Sequence, residues 1–102
     1  MADTNYTYAT IATGTKVTAS AGTAVALASS ATPCRRVLIK AFAENTNVVA
    51  IGDANVVAAV AVRRGIGLAP GESVEMPIDD VSKLYLDSIT TGEGVGFTYF
   101  NN

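Results

Sequence analysis

The sequence predicts an all-β fold: a two-sheet antiparallel β-sandwich, with a jelly-roll-like winding as one form of it, behind an extended N-terminal arm. Three observations predict it. Short runs rich in Val, Ile, Thr, Tyr and Phe recur along the 102 residues, the composition of strands. Gly, Pro, Asn and Asp punctuate them roughly every 8–12 residues, as in sandwiches and barrels. No stretch carries the apolar spacing of a long amphipathic helix. A sandwich is favoured over a closed barrel.

Residues 1–14 read as the arm and residues 15–102 as the sandwich domain. In the arm, Tyr6 and Tyr8 flank Thr7, so both rings would point to one side of an extended chain. Lys16–Ser20 alternates into the turn Ala21-Gly22-Thr23, and Ala24–Ala28 places Val25 and Leu27 on one face. After the loop Ser29–Pro33, Arg36–Ala43 combines β-branched and aromatic residues without a breaker, which suits a central strand. Val48–Ile51 is the next strand, closed by Gly52-Asp53. Asn47-Val48-Val49-Ala50 recurs as Asn55-Val56-Val57-Ala58, which predicts a β-hairpin across the intervening turn. Two copies at so short a period do not indicate a solenoid.

Ala58–Gly65 mixes helix-tolerant alanines with strand-favouring valines. It is read as a strand end running into a loop with Arg63 and Arg64 at an exposed tip. Ile66-Gly67-Leu68 is short and extended. Ala69-Pro70-Gly71-Glu72 is a turn in which Pro presets φ and Gly accepts a positive φ. Ser73–Ile78 turns Val74, Met76 and Ile78 inward, and Pro77 assigns it to an edge or to a strand end. Asp79–Ser82 is a turn with room for one helical turn. Lys83–Ile89 carries Leu84 and Leu86 on one face. Thr90–Gly94 is the last turn, before Val95, Phe97 and Tyr99 line one face of the final strand.

The chain is 49% hydrophobic and only 16% charged, against about 25% charged in average usage. Its surface must lean on Thr, Ser, Asn, Gly and Ala, a composition suited both to protein–protein packing and to ordinary sandwich faces. The formal net charge is −2, which argues against nucleic acid as a partner, since phosphate binding needs clustered positive charge. The pairs Arg35-Arg36 and Arg63-Arg64 are too few for a basic patch, but suit salt bridges to a neighbouring chain. The opening residues lack the basic and apolar regions of a signal peptide. The longest apolar run, Val56–Val62, is far below the ~20 residues of a membrane span. A soluble protein with no membrane partner is expected.

No catalytic residue is expected. The sequence has no His, so its many Ser and Thr hydroxyls lack the commonest general base. The lone Cys34 cannot form an internal disulfide. Arg35 beside it could lower its pKa, but a buried structural thiol is the favoured reading. Glu72, Glu75, Asp79, Asp80, Asp87 and Glu93 lie mostly in or beside turns, where carboxylates bind local N–H groups; a carboxylate pair for glycoside hydrolysis is disfavoured. Asp53 with Asn55, or Asp79 with Asp80, gives only a weak Ca²⁺ signal. The glycines of Gly65–Gly71 lead into a strand rather than a phosphate-binding helix. No metal and no cofactor are expected.

Three segments carry a resemblance. Thr32-Pro33-Cys34-Arg35-Arg36-Val37-Leu38-Ile39-Lys40-Ala41 is the first. Gly65-Ile66-Gly67-Leu68-Ala69-Pro70-Gly71-Glu72-Ser73-Val74-Glu75-Met76-Pro77-Ile78 is the second, and Lys83-Leu84-Tyr85-Leu86-Asp87 with Gly92-Glu93-Gly94-Val95 closes the frame. As an ordered set over about residues 23–100 they resemble small virion proteins of tailed bacteriophages and prophages. Val56–Arg64 is richer in Ala and Val than that pattern. The resemblance implies a β-sandwich in the particle, of capsid decoration (cement), head-fibre or tail type, and supplies no catalytic residues. It implies a protein assembled in the host cytoplasm that binds the major capsid protein and itself, as a dimer or trimer. Tyr6, Tyr8, Arg35, Arg36, Arg63 and Arg64 are the candidate contacts. The alternative is a tail or fibre module that binds a receptor or carbohydrate through exposed aromatics, with a small lyase or hydrolase as a third reading.

Overall fold

The computed structural model describes residues 11–101. Eight strands follow one another: β1 (Ile11–Val17), β2 (Val25–Ala26), β3 (Arg36–Ala41), β4 (Val49–Gly52), β5 (Ile66–Leu68), β6 (Ser73–Met76), β7 (Tyr85–Ser88) and β8 (Gly94–Phe100). Single 3₁₀ turns cover Val60–Val62 and Val81–Lys83, and the described residues contain no α-helix. The strands form two four-stranded sheets, ordered β1-β8-β3-β6 and β2-β7-β4-β5, and every pairing is antiparallel. First pairs with last, second with seventh, third with sixth, fourth with fifth. The chain is thus one long nested hairpin rolled over on itself and closed by the β3–β8 and β4–β7 pairings. That is a jelly roll, a particular form of the two-sheet sandwich the sequence predicts.

Alternation builds the core. In β3, Val37, Ile39 and Ala41 are wholly buried while Leu38 and Lys40 face outward, the period of two that a strand requires. β3 lies inside its sheet between β8 and β6, as its unbroken β-branched run predicts. Val95 and Phe97 of β8 and Leu86 of β7 meet it in the middle, with Val49 and Ile51 of β4. Leu27, Leu68, Val81 and Leu84 close the ends. Val74, Met76 and Ile78 pack onto this core from β6 and beyond, and β6 is a sheet edge, as Pro77 indicates.

The turns follow their chemistry. The Glu72 N–H donates to the Ala69 carbonyl at 2.9 Å, with Gly71 at φ +84°, a region costly for residues bearing a Cβ. Asp80 caps the second 3₁₀ turn. Its Oδ1 accepts from the Ser82 N–H at 2.9 Å and from the Thr32 N–H at 2.9 Å, so one carboxylate ties two loops together.

Two expectations change. The sequence-based arm extends to residue 14, yet residues 11–14 form the first half of β1, paired with Phe97–Phe100. The inward positions here are Ala12 and Gly14. A Cβ on Gly14 would stand 2.6 Å from the Phe97 ring, so the strand must stay small on its buried side and shows no apolar pattern. Tyr6 and Tyr8 lie outside the described residues. The hairpin expected from the Asn-Val-Val-Ala duplication does not form. Both edges of β4 are taken, by β5 and β7, leaving Asn55–Ala58 no strand to pair with. The second copy folds over the sheet instead.

Candidate functional site

Residues 53–65 make a flap across the outer face of the second sheet. The chain leaves β4 at Gly52, where Asp53 organises the turn: its side chain accepts from the Asn55 N–H at 3.0 Å, and its carbonyl from the Val56 N–H at 3.0 Å. Val56 and Ala58 are then buried against Ala50, with Ala24 and Tyr85 packed beside them. This second small core explains why Val49, Ala50 and Ile51 are all fully buried: β4 has the sandwich interior on one side and the flap on the other. Val57 and Arg64 exchange backbone hydrogen bonds at 3.1 and 2.9 Å, which closes the flap into a loop. The return passes through Gly65 at φ +105°, where a Cβ would lie 2.5 Å from the Ile51 carbonyl oxygen. Only glycine fits that approach.

One carboxylate clamps the flap down. Asp87 of β7 is 1% exposed. Its Oδ2 accepts from the Ala58 N–H at 2.8 Å, and its Oδ1 from the Gly22 N–H at 2.9 Å. It therefore joins the flap to the β1–β2 loop. Asp87 reads from the sequence as one more acid near a turn; only the structure gives it this role.

The arginines brace the flap from the other side. Arg63 donates from Nε to the Ala58 carbonyl at 3.0 Å, and its guanidinium lies against Gly67 of β5. One of its terminal nitrogens is buried without a hydrogen-bond partner among the described residues. Arg64 donates from Nε to the Asn55 carbonyl at 3.0 Å. The expectation of two arginines at an exposed tip is corrected for Arg63. Arg64 is exposed as expected, but Arg63 is half-buried, and both side chains fold back onto flap carbonyls, which satisfies those acceptors. The tip is apolar: Val60 is 77% exposed and Val62 59%. Beside it lies an open cleft of about 250 Å³, lined by Val57, Ala59 and Ile89 with Gly22 and Asp87. An apolar tip thus lies next to an apolar-walled cleft, held by charged braces.

The other candidate contacts do not join this surface. Arg36 sits on the outer face of the first sheet, on the opposite flank. Its guanidinium carbon lies 4.2 Å from the centre of the Phe100 ring, and it pairs with Glu75 at 3.0 Å. Arg35 is exposed beside Pro33 and Cys34, next to Asn101. The thiol of Cys34 donates to the Ile78 carbonyl at 3.1 Å. Burial pushes its pKa up, and Asp80 and Asp79 add to the shift; the lowering that neighbouring Arg35 suggested does not occur. The carboxyl of Glu93 is held below its ordinary range, first by the Thr46 N–H and also by the Thr46 hydroxyl and the Asn47 N–H. Asp80 is held down likewise, first by the Thr32 N–H and then by the Ser82 hydroxyl and N–H. Both are loop ties. Among the described residues no group of three or more His, Cys, Asp or Glu converges as metal ligands, and no helix is long and apolar enough to cross a membrane.

Fold and surface together define a jelly roll that presents a braced apolar tip on one flank. No family model matches the chain, no curated protein matches it, and no solved structure matches it.

Proposed function

We propose that this protein is a virion structural protein of a tailed bacteriophage, a capsid decoration (cement) protein that binds the outer shell and stabilises contacts between major capsid subunits. The flap tip is its docking surface. The observation that carries the reading is the exposure of Val60 and Val62 on a loop that Asp87, Arg63 and Arg64 hold in place. A loop with no partner gains nothing from turning two valines to water. Burying a Val side chain on a partner is worth about 1.5–3 kcal/mol, and a preformed tip loses little entropy on docking. The low charge of the chain and the virion-like order of its motifs support the same role. On a shell the same small contact repeats at every site, and a dimer or trimer of the protein multiplies it by avidity. Arg35, exposed on the other flank, is a second proposed contact.

The test is rebinding of purified protein to shells that lack it, counted as copies per shell. Val60→Asp with Val62→Asp, checked for an unchanged circular dichroism spectrum, is expected to weaken binding at least ~100-fold, from the burial lost at two valines. Shells filled equally by the variant would remove the flap from the contact. Wild-type protein found on tails and not on shells would overturn the decoration role.

A further inference from the structure

We propose that two copies of this chain pair edge to edge through β1, joining their first sheets into one continuous eight-stranded sheet. β1 is an outer strand of its sheet, and no described residue pairs with its free side. The other three edges are short or blunted. β2 has two residues. β5 has three, with the Arg63 guanidinium lying against Gly67. β6 carries Glu75 and stops at Met76, before Pro77. β1 runs seven residues without bulge or proline, and its single charge, Lys16, lies on the same face as Ala12 and Gly14. Natural edges of this length are usually protected by charges, prolines or bulges; here Lys16 is the one such device, and among the described residues nothing covers the edge.

The hydrogen-bonding parity shows which groups are on offer. The Phe42 N–H donates to the Gly94 carbonyl, so positions 94, 96, 98 and 100 of β8 point their backbone groups at β3. Positions 95, 97 and 99 therefore point at β1, opposite Lys16, Gly14 and Ala12. Ile11, Thr13, Thr15 and Val17 are left with N–H and C=O directed at the open edge. An antiparallel copy placed about a two-fold axis through Gly14 sets Ile11 opposite the partner's Val17 and Thr13 opposite the partner's Thr15. All four open positions on each strand then exchange backbone hydrogen bonds. Every cross-strand pair on the outer face is like with like, β-branched apolar on apolar and threonine on threonine, which stabilises antiparallel sheets. Ile11 is 63% exposed and Val17 45%, and this register covers both. The strand is complementary to itself, which is what an isologous two-fold contact needs. A second copy is thus the partner it fits. The inference does not rest on the virion reading.

Sedimentation velocity on the full chain, from roughly 1 μM to 1 mM, tests it with four variants. Wild type is expected to become a dimer as concentration rises. Thr15→Pro deletes only an outward N–H, which an edge strand tolerates, so it is expected to stay folded by circular dichroism and monomeric throughout. Thr13→Lys with Thr15→Lys sets lysine against lysine and is expected to be monomeric. Thr13→Lys with Thr15→Glu sets lysine against glutamate in this register and is expected to dimerise. Deleting residues 1–10 is expected to leave the dimer intact. A wild type that stays monomeric, a folded Thr15→Pro that dimerises, or two charge variants that behave alike would each overturn the inference.

Discussion

The substitution Asp87→Asn tests whether one buried carboxylate holds the flap. Asp87 accepts backbone N–H groups from Ala58 at 2.8 Å and Gly22 at 2.9 Å, and its side chain is almost completely enclosed. An asparagine keeps one oxygen to accept one of these bonds. Its NH₂ must then face the other N–H, donor against donor. A hydrogen bond to a charged group contributes about 1.5–3 kcal/mol, and an orphaned buried N–H costs about 1–3 kcal/mol. Against this, the substitution removes a charge that no cation among the described residues contacts, which returns part of the desolvation cost. With both oxygens bonded, loss outweighs relief, and a net destabilisation of roughly 2–3 kcal/mol is expected. The whole domain has only about 5–15 kcal/mol to lose. Urea slopes for small domains are about 1–3 kcal/mol per M, so the unfolding midpoint should fall by roughly 1–2 M. Amide hydrogen exchange supplies the local reading: Ala58 and Gly22 should lose protection well before Ile39 and Ile51, which sit in the main core. A midpoint within error of wild type, with Ala58 still protected, would refute the clamp.

Three further outcomes follow from the same structure. Gly65→Ala forces a Cβ to within 2.5 Å of the Ile51 carbonyl at a positive φ; a loss of roughly 1–3 kcal/mol should lower the melting temperature by about 5 °C or more, while Gly71→Ala, with open space around it, should cost less. Acid should weaken the fold in a defined window. Asp80 and Glu93 have pKa values depressed in the folded state, so their contribution is complete above the ordinary carboxyl range and is lost as pH falls through the folded values; melting temperature should hold from pH 5 upward and drop below about pH 4, and Asp80→Asn with Glu93→Gln should flatten that drop. Cys34, with a raised pKa and a bond to the Ile78 carbonyl, should react with iodoacetamide at neutral pH far more slowly in the folded protein than in urea-unfolded chain, measured by mass spectrometry across a urea series.

Much of this molecule was legible in advance because alternation is a local property. Val37, Ile39 and Ala41 announce one buried face, and so do Val95, Phe97 and Tyr99 in the last strand. Pro70-Gly71 names its turn by φ alone, and Pro77 marks an edge because it lacks a donor. Where the pattern is silent the reason is physical. The first half of β1 hides because its inward positions are Ala12 and Gly14, the second kept small by a ring eighty-three positions downstream in Phe97. Val56–Val62 is apolar without a break, so no period separates its buried members, Val56 and Ala58, from the exposed Val60 and Val62. The arginine pair reads as solvated, since nothing local shows that flap carbonyls will need its donors.

The sequence by itself determined the class of fold, most strand positions, the turn chemistry and the poverty of charge. Tertiary structure alone decided that the strands roll into a jelly roll, that the second Asn-Val-Val-Ala becomes a flap rather than a hairpin, and that two valines, not two arginines, form its tip. A residue's periodicity is written in its neighbours along the chain. What covers its other face is decided by strands brought together across the fold, and a β-sandwich is built almost entirely from such distant pairings.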